Sequence, residues 1–296
     1  MPQEILVKPE LLTGACIEKN FSYLEVSASE VNPDVIFDIV TKGSHHGAIV
    51  YVLRDAFNPA LATRVIENFD SILARTEGGN RTDDSFVKTN QIGATQFSRS
   101  GDEYVREVIQ TSSISLDLFD GVAHDEIEQL FATELLEMTF AKKGMVLRSS
   151  RFKNIPAGFC TLRRWLDNGE MALMPHDDTA QLLSARKDGY EVAGATHVVS
   201  YNAAVETSDK GGALKVWNIN PDEACRERLG LVSTGYPYPI DSLDGIESLT
   251  VQLRQGDAYF LNSSFIHGVS SVQEGRRLSA GRFVGKISDD VAVYWT

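Results

Sequence analysis

The chain has 296 residues, with 28 Lys and Arg against 41 Asp and Glu and a formal net charge of −13. That balance repels a phosphate backbone, and Arg163–Arg164 and Arg276–Arg277 are too isolated to make a nucleic-acid patch, so no nucleic acid is expected as a partner. With 43% hydrophobic residues, three scattered cysteines and neither a leader-like start nor a membrane-length apolar run, the expectation is a soluble cytoplasmic globular protein with no membrane partner.

In chain order, "GAIVYVLRDAF" (47–57) is β-branched and apolar and predicts a strand. After "NP", Leu61, Val65, Ile66, Phe69, Ile72 and Leu73 recur at helical spacing. The stretch 77–100, rich in Gly, Ser, Thr and Asn, predicts a long loop of the kind that often lines a binding site. Two helices follow, "GDEYVREVIQTSSISLDLF" and "HDEIEQLFATELLEMTFAKKG"; the second opens acidic and closes on two lysines and a glycine, as the helix dipole and C-cap favour. From about residue 147 the pattern changes to short apolar runs divided by Gly-containing turns, among them "GFCTLRRWL", "MALMP", "THVVSYNAAV", "ALKVWNI", "AYFLN", "LSAGRFVGK" and "VAVYWT". Such a series predicts an antiparallel sandwich or barrel. The expected fold is therefore α+β, mainly β with helices, in one catalytic domain spanning 1–296. Within it, a mixed helical N-terminal region (1–146) supports a β core (147–296).

Residues 174–179 read "MPHDDT", and the H-x-D they contain means little by count. With 6 histidines and 41 acidic residues, about one H-x-D or H-x-E arises by chance. A second one is present at His124–Asp125–Glu126. Context separates them. Residues two apart share a face of a strand but point roughly 200° apart on a helix. His124 and Glu126 open a predicted helix and diverge. His176 and Asp178 follow the strand-like "MALMP" and aim the same way, with Asp177 turned from them.

His267, in "FLNSSFIHGVSS", is a candidate third ligand from another strand; alone it would be read as a core histidine. Arg277 lies ten residues later, with Ser279 next but one on the same face of a strand. Two histidines and one carboxylate on one face of an octahedral ion leave open positions, the arrangement of non-haem Fe(II) oxygenases. An arginine nearby would hold the far carboxylate of a 2-oxo acid through a two-pronged, charge-assisted pair.

H-x-D, a long interval, then H-x9-R-x-S resembles the Fe(II)/2-oxoglutarate-dependent dioxygenase superfamily, from about residue 150 onward. The resemblance implies a double-stranded β-helix (jelly-roll) core, iron on His176, Asp178 and His267, and the 2-oxoglutarate C5 carboxylate on Arg277 with Ser279 in support. "GGALKVWN" (211–218) is similar to a strand start of that core, although Ala213 stands where an acidic residue is frequent. The order of "GATQF", "HDD", "GGALKVWN", "GRRLS" and "VAVYWT" also resembles the freestanding alkaloid halogenases of the welwitindolinone type. Those enzymes have glycine where this chain has Asp178, which leaves a position for chloride on the iron; a carboxylate there implies hydroxylation. The implied reaction uses O2, decarboxylates 2-oxoglutarate to succinate and delivers a hydroxyl to an unactivated C–H, with desaturation or ring closure left open.

For the substrate, candidate contacts are Gln96 on the loop 91–99, Arg163 and Trp165 on "LRRWL", and Trp217 on "LKVWN". Strand alternation places Arg163 and Trp165 on one face and Arg164 on the other, so one arginine at most faces inward. An inward arginine favours a carboxylate-bearing, amino-acid-like molecule; an aromatic lining favours a natural-product intermediate. Either would be a small molecule taken without a carrier protein. The rival readings are a halogenase of the same fold, a zinc hydrolase using the same three ligands, and a non-enzymatic jelly-roll binding domain. Neither the substrate's identity nor the oligomeric state is legible.

Overall fold

The computed structural model describes residues 12–76, 89–166 and 171–296. Its frame is two facing sheets with helices packed on the larger one. The larger has nine strands, ordered Ser22–Ser27, Ala48–Arg54, Ala258–Asn262, Val199–Glu206, Arg277–Lys286, Val291–Trp295 and Val146–Ser149. Thr161–Trp165 also pairs with Arg277–Lys286, and Thr89–Ile92 pairs in turn with Thr161–Trp165. The smaller sheet runs Ser248–Val251, Leu214–Trp217, His267–Ser270, Met171–His176. Strands from residues before 147 and after it thus share one sheet.

Both faces of the central strands of the large sheet are covered, which is why those strands are apolar without strict alternation. Along Ala48–Arg54, Tyr51 and Leu53 join the cluster facing the helices, while Val50 and Val52 join the one between the sheets, with Leu214, Val216 and Val251 from across the gap. The helical layer is led by Pro33–Lys42 and Pro59–Arg75. The second is a well-formed amphipathic helix. Pro59 occupies its first turn, the Asn58 side chain accepts from the Ala60 N–H at 2.8 Å, and Leu61, Val65, Phe69 and Ile72 are buried along one stripe. Each such side chain contributes about 1.5–3 kcal/mol by leaving water.

Several local expectations need correction. The predicted helix over 124–144 is two, His124–Leu130 and Thr133–Ala141, broken where Ala132 adopts a positive φ of 49°. The predicted loop 77–100 contains the strand Thr89–Ile92, whose polar sequence hides a pairing made only in three dimensions; residues 77–88 lie outside the described residues. Two helices, Ala180–Asp188 and Glu223–Leu229, interrupt the β-rich half. No helix among the described residues is long and apolar enough to cross a membrane.

Candidate active site

The small sheet builds the centre of the site. His176 ends one strand, His267 begins its antiparallel neighbour, and the two are register partners. Their rings lie 4.1 Å apart. The next aligned pair is Val269 with Leu173, so one strand spends three residues where the other spends two. This bulge re-aims the chain, and Leu173 and His176 both line the same cavity although simple alternation would oppose them. Gly268 is required there, since a Cβ on it would lie 2.8 Å from the Leu173 carbonyl oxygen. Asp178, one residue past the Asp177 that turns away, completes the group.

The ligand atoms of His176, Asp178 and His267 all lie within 4.8 Å of one another. Asp178 Oδ2 is 3.5 Å from His267 Nε2, and Oδ1 is 3.9 Å from His176 Nε2. Those gaps suit one ion bonded to each atom at about 2 Å. Each histidine also has its Nδ1 within hydrogen-bond distance of a main-chain carbonyl two residues back: Met174 at 3.0 Å for His176 and Phe265 at 2.9 Å for His267. With Nδ1–H donating there, each Nε2 lone pair faces the centre, the outer arrangement typical of metal-bound histidine. Burial, and then the neighbouring His267, hold the His176 imidazole well below its ordinary pKa, so it is neutral and able to ligate; burial raises the Asp178 carboxyl above its ordinary value. A divalent cation would relieve the desolvated carboxylate. The donor set, two imidazoles and one carboxylate, fits iron(II).

Beyond this centre, between the sheets, Arg277 and Ser279 line a cavity with Thr161, Ser200, Asn202 and Tyr259. Arg277 lies beside Tyr259 on the wall of this cavity, and its guanidinium is 5.7 Å from the Trp165 ring centroid. Its Nη1 is buried without a hydrogen-bond partner, and burial lowers its pKa. A buried cation with an orphaned N–H is costly unless an anion completes it. The carboxylate of a 2-oxo acid reaching inward from the metal would do so. Ser279 Oγ accepts from Trp165 Nε1 at 3.1 Å, so Trp165 is wedged between the arginine and the serine. Sequence reasoning misses Tyr259; its signal is the alternation of "AYFLN", which is usable only once its pairing with Asn202 is known.

A second cavity opens on the other flank of the triad, lined by Thr95, Phe97, Arg163, Trp165, Leu173, Gln181, Thr234, Tyr236 and Phe283 beside His176 and Asp178. Arg163 points into it, held by Nε to Gln91 Oε1 at 2.9 Å and by Nη2 to Thr95 Oγ1 at 3.0 Å. Arg164 points the other way, ion-paired with Asp70 and Glu206. Phe97 and Tyr236 meet edge to face, with centroids 6.3 Å apart. Two expected wall residues stand elsewhere. Trp217 packs in an apolar cluster with Met171, Ile219, Tyr238 and Ile266. Gln96 is buried with its main-chain N–H on the Thr296 carbonyl, while its neighbours Thr95 and Phe97 face the cavity. The loop around Gln96 has left the strand, so position along the chain does not tell which of its side chains faces inward. His124 is exposed, within ion-pair reach of Glu128, and takes no part.

No family model matches the chain. It is 48% identical over 286 residues, 97% of its length and 96% of the relative's, to the L-isoleucine 3(1)-dioxygenase of Pantoea ananatis. Among solved structures it is similar to an N-substituted L-amino acid dioxygenase from Burkholderia ambifaria, with a TM-score of 0.51 and 12% identity, over 84% of this chain and 87% of the other. At that identity the likeness speaks for the fold.

Proposed function

The chain belongs to the Fe(II)/2-oxoglutarate-dependent dioxygenase superfamily, and from that premise we propose that it hydroxylates an aliphatic C–H of a free L-amino acid. The observation that carries this reading is Arg163, anchored by Gln91 and Thr95 in a cavity that opens onto the triad and continues along Phe97, Leu173 and Tyr236. A fixed guanidinium suits a carboxylate, and an apolar wall suits a hydrocarbon side chain. The relative's action on L-isoleucine supports the same class.

In this reading the residues 1–296 act as one catalytic domain. His176, Asp178 and His267 hold iron(II), and Arg277, backed by Tyr259 and Ser279, holds the distal carboxylate of 2-oxoglutarate. When bound, the iron supplies the oxidising chemistry with O2: one oxygen atom goes to succinate, the other to the new C–OH, and CO2 leaves. The protein's own task is to fix both small molecules, with Arg163 and Trp165 orienting the substrate, and to keep water out of the space between the sheets. No side chain is required as general acid or base. Asp178 occupies the position that a halide would need, which supports hydroxylation. A substrate whose carboxylate sits on Arg163 has no carboxyl left for a carrier thioester, which supports a free molecule. Cys16, Cys160 and Cys225 are free thiols, which supports a reducing, cytoplasmic setting.

The test is aerobic incubation with iron(II), 2-oxoglutarate and a panel of L-amino acids that includes L-isoleucine. A product heavier by one oxygen atom, formed with an equal amount of succinate, is expected from an aliphatic member. A chlorinated product in chloride buffer, or hydrolysis supported by zinc, would overturn the reading.

A further inference from the structure

We propose that Arg226 and Tyr238 are positioning residues: acting through the buried carboxylate of Asp177, they lock the metal-binding turn 176–178 to the loop that forms one side of the substrate wall. The inference rests on the reading of His176, Asp178 and His267 as metal ligands.

Asp177 sits between two of those ligands and points the opposite way, fully buried. Its carboxylate is saturated. Oδ1 accepts from Thr179 N–H and Arg226 Nη2, each at 2.8 Å, and Oδ2 accepts from Arg226 Nε at 3.0 Å and the Tyr238 hydroxyl at 2.7 Å. The arginine is itself buried, on the helix Glu223–Leu229, and its two-pronged grip is a geometry that lysine does not reproduce. The main chain adds a second row of ties. Asp177 N–H donates to the Gly235 carbonyl at 3.0 Å, and Tyr238 N–H donates to the Pro175 carbonyl at 2.8 Å. Gly235, at φ +59°, approaches so closely that a Cβ would lie 2.3 Å from the Asp177 carbonyl oxygen.

The loop so fastened carries Thr234 and Tyr236, both on the cavity wall, and the Tyr236 ring lies 6.0 Å from that of His176. Asp177 is one residue from each of two ligands, so a shift of its carboxylate displaces metal and substrate wall together. Arg226 and Tyr238 line neither cavity, whereas Asp177 borders the second one. The two act by holding the groups that line it.

Tyr238→Phe and Arg226→Lys test the idea on the full chain. Metal-free protein is titrated with Co(II), whose visible ligand-field bands report coordination without turnover. Succinate per hydroxylated product is then measured with iron(II), 2-oxoglutarate and L-isoleucine. Both variants should bind Co(II) about tenfold more weakly, as loss of outer support to ligands does, and should release succinate in excess of product. If Arg226→Lys does not fold, Tyr238→Phe, which keeps the ring and loses one hydroxyl, carries the test. Folded variants with wild-type Co(II) affinity and a wild-type succinate ratio would overturn the proposal. A wild-type protein giving no Co(II) bands would instead overturn the metal reading beneath it.

Discussion

His176 and His267 are direct register partners on neighbouring antiparallel strands, with rings 4.1 Å apart. Two of the three proposed ligands are therefore set by sheet pairing, and the third, Asp178, depends on the turn that follows. The turn ligand is the one to remove. Asp178→Ala should leave the fold intact while weakening the visible charge-transfer band that iron(II) and 2-oxoglutarate give without oxygen, and hydroxylation should fall below detection. A variant band as strong as the wild type's would mean that another group supplies the third ligand.

Arg277 is buried, and its Nη1 has no partner. Losing one side of a buried charge pair costs roughly 2–5 kcal/mol, on the order of a 10²-fold loss in binding. Arg277→Ala should raise the apparent KM for 2-oxoglutarate by about that factor while the KM for the amino acid changes little. Tyr259→Phe, which removes the hydroxyl beside the guanidinium, should give a smaller shift in the same direction. An unchanged 2-oxoglutarate requirement in Arg277→Ala would place the anchor elsewhere.

Arg163 and Trp217 make a contrasting pair. Arg163→Met should raise the KM for the amino-acid substrate steeply and leave that for 2-oxoglutarate nearly unchanged. Trp217→Phe, in the apolar cluster away from both cavities, should lower the thermal midpoint through lost packing without altering either KM. Steady-state kinetics beside a thermal melt distinguish the two. A Trp217→Phe change confined to substrate KM would return that residue to the pocket.

The His176 imidazole is held well below its ordinary pKa of 6.5 by burial. In metal-free protein the unfolded chain takes up this proton near pH 6.5, whereas the folded chain does so only at much lower pH. Acidification below 6.5 therefore favours the unfolded state, by up to about 1.4 kcal/mol per pH unit for this one group. The stability is present above pH 6.5 and is lost as pH falls toward the folded value. Melts of the metal-free protein across that window should show it, and His176→Gln should flatten the dependence. An equal slope in the variant would assign the effect to other groups.

Much of the centre is legible in the sequence because its chemistry is local. An H-x-D after a strand-like run, and an H-x9-R-x-S whose parity is that of a strand, need only the period of two to be read. What escapes is set by partners far along the chain. Tyr259 serves Arg277 only because Ala258–Asn262 and Arg277–Lys286 flank the same strand. In sequence Asp177 is only the residue turned away, since Arg226 and Tyr238, which give it a task, are 49 and 61 positions on. Thr89–Ile92 carries no apolar alternation; its pairing with Thr161–Trp165 makes it a strand. Helix–sheet packing is plainer, since the stripe of Leu61, Val65, Phe69 and Ile72 is written into consecutive turns.

The strand Arg277–Lys286 pairs along one edge with Val199–Glu206 and along the other with Thr161–Trp165 and then Val291–Trp295. It is the keystone of the large sheet, yet of the strands it joins only Val291–Trp295 follows it in the chain. During synthesis the earlier strands must wait, edges open, until residues 277–286 emerge. Loop closure over such separations is slow, and unpaired edges invite association with other chains. Recombinant yield should therefore respond to growth temperature and chaperone supply more than equilibrium stability would suggest. Fragments ending before residue 277 should collect in the insoluble fraction.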